Sequence, residues 1–357
     1  SPLTYRVLIG DESPMLDTNM MRSIFAARPR GCHFLLVGDI NQLPPVGHGA
    51  PLRDLIAAGL PYGELTEIKR NSGGIVEVCA AIRDGQPWMT GDNLKLIPTT
   101  SPEDQIDAVK TVLGRSEASG RNAIWDCQVL VAVNEKSKLG RKNLNKILQE
   151  YLNPNGRGQP GCTFRIGDKV VNTKNGFYSS AGQWVNIDES EVNDRMELYV
   201  ANGELGEVVD LDDKSMIVRL TSPARVVKVP IAKPNKKRTD SDHVDFELND
   251  SAESSEQEQS TNTGCAWDLG YALSVHKAQG SEVPIAIVML DDYPGARQVC
   301  DRSWLYTAIS RAKDKCVLIG NKHVADAMCR RVNVGSRKTF LRETVLIGSA
   351  ERRLGEL

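Results

Sequence analysis

The stretch Phe34-Leu35-Leu36-Val37-Gly38-Asp39-Ile40-Asn41-Gln42-Leu43-Pro44-Pro45-Val46 decides how the rest of the chain is read. Its first four residues are continuously apolar and stop at a glycine, the pattern of a short parallel strand buried on both faces. Beyond the glycine the chain is polar and stiff: Asp39, Asn41 and Gln42, then two prolines that can neither continue a ladder nor enter a helix interior. Ligands of an open α/β sheet lie at the carboxyl ends of its strands, so Asp39 and Gln42 are expected at the rim of a site. A second strand, expected over Tyr5 to Ile9, ends alike in Gly10-Asp11-Glu12. Gly-Asp at a turn can simply close a buried strand. Two such ends together suit a hydrated Mg²⁺, a hard ion held by one or two carboxylates plus phosphate oxygens.

These segments, with others downstream, resemble a known family. Leu8-Ile9-Gly10-Asp11-Glu12-Ser13-Pro14-Met15 is similar to the Walker B (DExx) motif of superfamily 1 helicases. Leu36 through Ile56, with its Gly-Asp-x-x-Gln-Leu-Pro-Pro-Val core and its Leu52-Arg53-Asp54-Leu55-Ile56 tail, resembles their motif III. Leu65-Thr66-Glu67-Ile68-Lys69-Arg70 resembles motif IV, Tyr271 to Glu282 (YALSVHKAQGSE) motif V, and Tyr306 to Lys313 (YTAISRAK) motif VI. The motifs come in family order, and the best match is the RecD-like and Dda-like branch, whose members move 5′ to 3′ on DNA. The Walker B tail departs from the family, with Ser13-Pro14 where Ala-Ser or Ala-Ala is commoner, but both carboxylates are kept.

The resemblance implies an α/β fold: RecA-like P-loop NTPase domains, the first incomplete, with a small SH3-like β-barrel insert. Residues 1–64 would be the C-terminal part of the first domain, and 65–162 the first part of the second. The barrel would take 163–232, a disordered acidic insert 233–265, and the rest of the second domain 266–357. No Gly-x-x-x-x-Gly-Lys-Ser/Thr occurs among the 357 residues, so the phosphate-cradling loop is missing. The expectation is a fragment, a truncated or split helicase whose partner is a separate upstream polypeptide carrying the Walker A motif.

Composition sets wider bounds. At 357 residues and 40% hydrophobic content the chain can build two or three ordinary cores. No apolar run approaches the roughly 18 residues that span a bilayer, so no membrane partner is expected. The eight cysteines are scattered without a Cys-x-x-Cys pair, which argues against a zinc site and for a reducing, cytoplasmic setting. Net charge is −2, yet with the eight acidic residues of 239–263 set aside the remainder carries +6. A mildly basic body suits a protein that tracks nucleic acid.

Along the chain, Asp17 is expected to cap a helix carrying Met20, Met21, Ile24 and Phe25. Leu52 to Ala58 reads as a short helix, and Ile75, Val78, Cys79 and Ile82 as the stripe of another with Gly85 behind its end. Val129 to Val133 reads as a buried strand, followed by a helix through Leu144, Ile147, Leu148, Tyr151 and Leu152. From Thr163 the period changes to two: strands are expected over Phe164–Val171, Gly203–Val209, Met216–Leu220 and Val226–Val229, with turns at Asn175-Gly176 and Asn202-Gly203. The tract Lys233 to Thr263 cannot bury enough apolar surface to offset its chain entropy.

The resemblance implies ATP as cofactor with Mg²⁺, and single-stranded and duplex DNA as partners. Asp11 would bind Mg²⁺, and Glu12, on the opposite side of the strand, would activate the attacking water. Gln42 would hydrogen-bond the γ-phosphate and its water; an amide can donate and accept without adding charge. Arg311 and Arg70 would be arginine fingers, groups typically worth ~10³–10⁵ in rate. Gly280 would approach the nucleotide closely and Glu282 lie near its ribose. Ser274, His276 and Lys277 would face DNA, although a lone histidine such as His276 can equally be a core residue. In the insert, Lys169, Asn172, Lys174 and Asn175 are the expected strand contacts; a plain spacer is the alternative. The function implied is an ATP-dependent 5′-to-3′ DNA helicase motor, inactive without its P-loop. The alternatives are an RNA helicase of the same superfamily and a non-catalytic remnant that binds single-stranded DNA.

Overall fold

Strand β1 (Val7–Gly10) leads through a 3-10 turn (Ser13–Met15) to helix α1 (Thr18–Ala27), strand β2 (His33–Leu36) and helix α2 (Pro51–Ala57). Helix α3 (Gly74–Arg83), strand β3 (Leu94–Ile97), helix α4 (Pro102–Ala118), strand β4 (Cys127–Val131) and helix α5 (Arg141–Leu152) come after it. A run of strands is next: β5 (Lys169–Asn172), β6 (Gly176–Ser180), β7 (Glu197–Val200), β8 (Leu205–Leu211), β9 (Ser215–Thr221) and β10 (Ala224–Pro230). The chain ends on β11 (Trp267–Leu269), β12 (Ala272–Ser274), β13 (Val283–Met289), α6 (Pro294–Val299), α7 (Arg302–Ile309), β14 (Ala312–Ile319) and α8 (Lys322–Arg330). This computed structural model describes residues 4–65, 73–181, 197–231, 265–333, 337, 341, 343–345 and 347. Thr66 to Arg70 of the motif IV segment, and the tract 233–264, lie outside the described residues.

Two compact units divide the chain, residues 1–105 with 278–357, and residues 106–277. The cuts differ from the boundaries that the family resemblance implies. In the first unit β1 and β2 pair in parallel, Ile9 opposite Leu35. There too β3, β14 and β13 pair in parallel, Leu94 opposite Cys316 and Ile287 opposite Val317. β13 and the second half of β14, Cys316 to Ile319, are apolar and buried on both faces, as parallel strands covered by helices must be, while Lys313, Asp314 and Lys315 at the start of β14 are exposed. Trp304 of α7 and Ile75 and Ile82 of α3 are fully buried and anchor the helices. Gly85, at φ +68°, ends α3 as expected.

In the second unit β12 lies parallel to β4, Leu273 opposite Leu130. A seven-stranded antiparallel sheet runs in the order β11-β5-β8-β9-β10-β6-β7. The chain is therefore mixed α/β with parallel strands. Two expectations need correction. The strand expected over Phe164–Val171 begins only at Lys169, because the buried Asp168 carboxylate pulls the preceding residues into a turn. It accepts from the Arg165 N–H (2.7 Å), Asn153 Nδ2 (2.8 Å), Gln149 Nε2 (2.5 Å) and the Tyr271 hydroxyl (2.8 Å). Trp267 and Leu269, placed by sequence outside the β-insert, form an edge of its sheet, Trp267 opposite Asn172. Both are buried while Asp268 between them is not, the period of two that marks a strand. Among the described residues no helix is long and apolar enough to cross a membrane.

Candidate nucleotide and strand site

The ends of β1 and β2 are stitched together by short bonds. Val37 N–H donates to Gly10 O (2.8 Å), Ser13 N–H to Val37 O (2.9 Å), and Ser13 Oγ to Gly10 O (2.7 Å). Pro14 then packs so closely on Gly38 that a Cβ there would stand 2.2 Å from Pro14 Cδ. The proline of the unusual Walker B tail and the glycine of the motif III strand are thus fitted to each other.

Glu12 departs from the sequence expectation. The strand has already ended at Gly10, so alternation does not separate Asp11 from Glu12. Instead Glu12 is left-handed (φ 48°, ψ 38°), a conformation that costs a non-glycine residue ~1–3 kcal/mol. That backbone carries its side chain to Gly280, itself at φ +75°, where a Cβ would meet Glu12 Cγ at 3.8 Å. Asp11 is exposed and spends one oxygen on the Glu12 N–H (2.9 Å). Among the described residues no three acidic, cysteine or histidine groups cluster as a metal cage. One exposed carboxylate is a donor set that fits Mg²⁺, which keeps most of its shell as water and phosphate.

The motif III loop is tied to α7. Asp39 Oδ1 accepts from the Asn41 N–H and side chain (2.9 and 3.0 Å), and Oδ2 from the Tyr306 hydroxyl (2.6 Å). Burial and the Asp39 carboxylate together push the Tyr306 phenol well above its usual range. Burial, with Asp39 adding to it, raises the nearby Cys79 thiol to about 12. Gln42 Oε1 is buried without a hydrogen-bond partner among the described residues. An acceptor left so has the position expected of a group awaiting a donor.

Arg311 is not an outstretched finger here. It is 2% exposed, and its guanidinium donates to Thr307 O, Ser281 O and Ser310 Oγ, each at 3.1 Å. Uncharged acceptors hold the cation inside, so reaching a phosphate requires exchanging some of these bonds. Glu282 pairs with Lys313 at 3.2 Å.

In the second unit Ser274, His276 and Lys277 are half-buried, and the Lys277 N–H turns back toward Ser274 Oγ (3.4 Å). The Asn202-Gly203 turn reaches them: a Cβ on Gly203 would lie 3.5 Å from Lys277 O. Asn202 N–H in turn donates to Asn175 Oδ1 (2.8 Å), and Lys174 and Asn175 are exposed. One polar rim therefore joins Lys277 to Lys174 and Asn175. Lys169 and Asn172 do not belong to it. Lys169 is 1% exposed and donates to Ile124 O (2.7 Å) and Cys127 O (3.4 Å), over the Trp125 ring. Asn172 is fully buried, with Nδ2 on Lys174 O, Val200 O and Ala201 O. Both side chains satisfy backbone carbonyls and have no face for a nucleic acid, which corrects the expectation.

Sequence reasoning missed Asn202 as a rim residue and gave no role to Gln279, Thr307 or Arg337. The first three sit inside quoted turns or motifs; Arg337 lies in none and carries no sequence signal.

Residues 3–97 match the family described as AAA domain, and residues 269–319 the UvrD-like helicase C-terminal domain. Over 327 residues the chain is 31% identical to the ATP-dependent RecD2 DNA helicase of Deinococcus radiodurans, covering 90% of this chain and 37% of that protein. RecBCD enzyme subunit RecD of Mycobacterium tuberculosis is 22% identical over 362 residues, covering 92% of this chain and 52% of its own length. The chain thus spans between 37% and 52% of these curated relatives. Among solved structures, that of Pif1 helicase from Bacteroides with ADP-AlF3 and ssDNA aligns at a TM-score of 0.48 and 18% identity, covering 91% of this chain and 72% of that one.

Proposed function

We propose that this chain, which belongs to the RecD-like helicases of superfamily 1, is a motor segment of an ATP-dependent DNA helicase moving 5′ to 3′. ATP with Mg²⁺ is its fuel, and its track is single-stranded DNA, with duplex unwound ahead. The observation that carries this reading is the meeting of Glu12 with Gly280 and of Asp39 with Tyr306. Those contacts gather the Walker B, motif III, motif V and motif VI segments at one place in one unit.

The division of labour rests on the groups present. Asp11 would hold Mg²⁺, which supplies charge neutralisation on the phosphates when bound. Glu12, aimed by its left-handed turn, would take a proton from water. Gln42 would use its free oxygen to orient that water, and Arg311 and Arg70 would contribute positive charge. Lys277, His276, Ser274, Lys174 and Asn175 form the strand-facing rim, and the seven-stranded sheet that carries two of them is read as the SH3-like insert.

A strand-displacement assay tests the reading on a protein that joins this sequence to a P-loop segment. Displacement should require ATP and a 5′ single-stranded DNA tail, and should vanish in Glu12→Gln. Displacement from 3′ tails, or on the matched RNA duplex alone, overturns it.

A further inference from the structure

The loop after Gln42 alternates in what its backbone bonds. The odd carbonyls accept from side chains far downstream: Leu43 O from Gln279 Nε2 (3.0 Å), and Pro45 O, Gly47 O and Gly49 O from Arg337 Nη1 (2.7, 2.8 and 3.2 Å). His48 O, on the other side, accepts from the Thr18 N–H and hydroxyl, both at 3.0 Å. One guanidinium nitrogen meeting three carbonyls means that residues 45–49 curl around Arg337, the backbone bending at 46–48 with Gly49 at φ +87°. Leu43 N–H completes the set by donating to Thr307 Oγ1 (2.8 Å), whose own proton goes to Ser303 O (2.7 Å). That second bond aims a hydroxyl lone pair at Leu43.

Among the described residues no strand pairs with this loop; side chains meet its carbonyls instead. The prolines explain why. Pro44 and Pro45 have no N–H, so a neighbouring strand would find two donors missing. The carbonyls still need partners, because Leu43, Pro45 and Gly49 are buried and an unmet buried group costs ~1–3 kcal/mol. Packing from the other side is tight as well, since a Cβ on Gly47 would fall 2.1 Å from Asp17 Oδ2. The loop has one seat.

We propose that Gln279, Thr307 and Arg337 are positioning residues, which hold residues 43–49 as a clamped loop and so keep Gln42 in place beside Pro14, with which it lines one pocket. Thr307 and Tyr306 are neighbours on α7, and both reach the motif III loop, at Leu43 and Asp39. Arg311 bonds to Thr307 O. Any displacement of α7 is therefore transmitted to the loop and to the arginine together. The role rests on the motor reading above, but the geometry does not need a nucleotide.

Amide hydrogen exchange on the 357-residue chain, without nucleotide, tests it. In Thr307→Val the Leu43 and Gln42 amides should exchange about tenfold faster, the scale of one lost buried hydrogen bond. Amides of β13 and β14 should keep their rates. Thr307→Ser, which retains the hydroxyl, should restore wild-type protection, and Arg337→Ala should expose the amides of residues 46–49. Unchanged exchange at Gln42 and Leu43 in Thr307→Val overturns the proposal. So does a uniform acceleration throughout the unit in both Thr307→Val and Arg337→Ala, since the residues would then be general supports. Because no ATP is turned over, an enzyme that fails as a motor leaves this result intact.

Discussion

Lys169 is a cation placed where a cation is costly. Its ammonium has two carbonyls and a Trp125 ring for company, and its hydrogen bonds go to neutral oxygens. Burial lowers its pKa from 10.5 to about 8. Between those values the unfolded chain binds a proton that the folded chain does not, so this group alone makes stability rise as pH climbs from about 8 to 10.5. Buried Tyr271, Tyr306 and Cys316, all shifted upward by burial, act in the opposite direction at alkaline pH. The comparison must therefore be a difference. Relative to Lys169→Met, wild type should gain about 3 kcal/mol over that range in urea unfolding. A difference that stays flat with pH would mean that Lys169 is hydrated. The same burial predicts how DNA binding responds: Lys174→Ala and Lys277→Ala should each weaken single-stranded DNA binding and lower its salt slope by about 0.7. Substituting Lys169 should leave that slope alone, and an equal fall for Lys169 in a folded variant would contradict its interior position.

The pair β1–β2 shows an element with one side open. Val7, Ile9 and Leu35 share a face and are 54%, 67% and 54% exposed. On the other face Leu8, Phe34 and Leu36 are half-buried, and Phe34 meets Phe25 edge-on at 5.5 Å. Ile9→Thr with Leu35→Thr should therefore change unfolding free energy by less than about 0.5 kcal/mol while raising the concentration at which the chain precipitates. A loss above about 2 kcal/mol, the size of a core truncation, would show that the face is packed. That open face corrects the reading of Phe34 to Val37 as a strand buried on both faces. The helices are legible in sequence because one pattern governs each: Asp17 caps α1 through the Met20 N–H, and four apolar residues at helical spacing become the buried stripe of α3. Legibility fails where a side chain satisfies groups remote in sequence. Lys169 and Asn172 look like exposed turn-flanking residues, yet β5 is buried along its whole length. Nothing local announces that their partners lie at Ile124 and Val200. Glu12 is identifiable by type, but its direction comes from a left-handed turn that the strand alternation of DExx does not suggest.

For the whole molecule, what matters is which contributions to nucleotide binding the chain owns. Triphosphate affinity in P-loop enzymes comes mainly from backbone N–H groups cradling the phosphates and from the loop's lysine. None of the 357 residues forms that Gly-x-x-x-x-Gly-Lys-Ser/Thr pattern. What the described residues supply is Asp11, Glu12 and Gln42, with Arg311 already engaged by Thr307, Ser281 and Ser310. Carboxylates repel a bare triphosphate unless a metal intervenes, and an arginine bound to carbonyls must first release them. In the roles proposed above, these groups would favour the transition state of phosphoryl transfer more than the ground state, adding rate and little affinity. The chain alone should then bind ATP weakly and show no DNA-stimulated turnover, while still retaining single-stranded DNA at low salt. Supplying a polypeptide that carries such a loop, in cis or in trans, should bring turnover that Glu12→Gln abolishes with nucleotide affinity nearly unchanged. Steady ATP hydrolysis by the purified 357-residue chain, stimulated by DNA, would refute this account and require a phosphate cradle of a different kind within it.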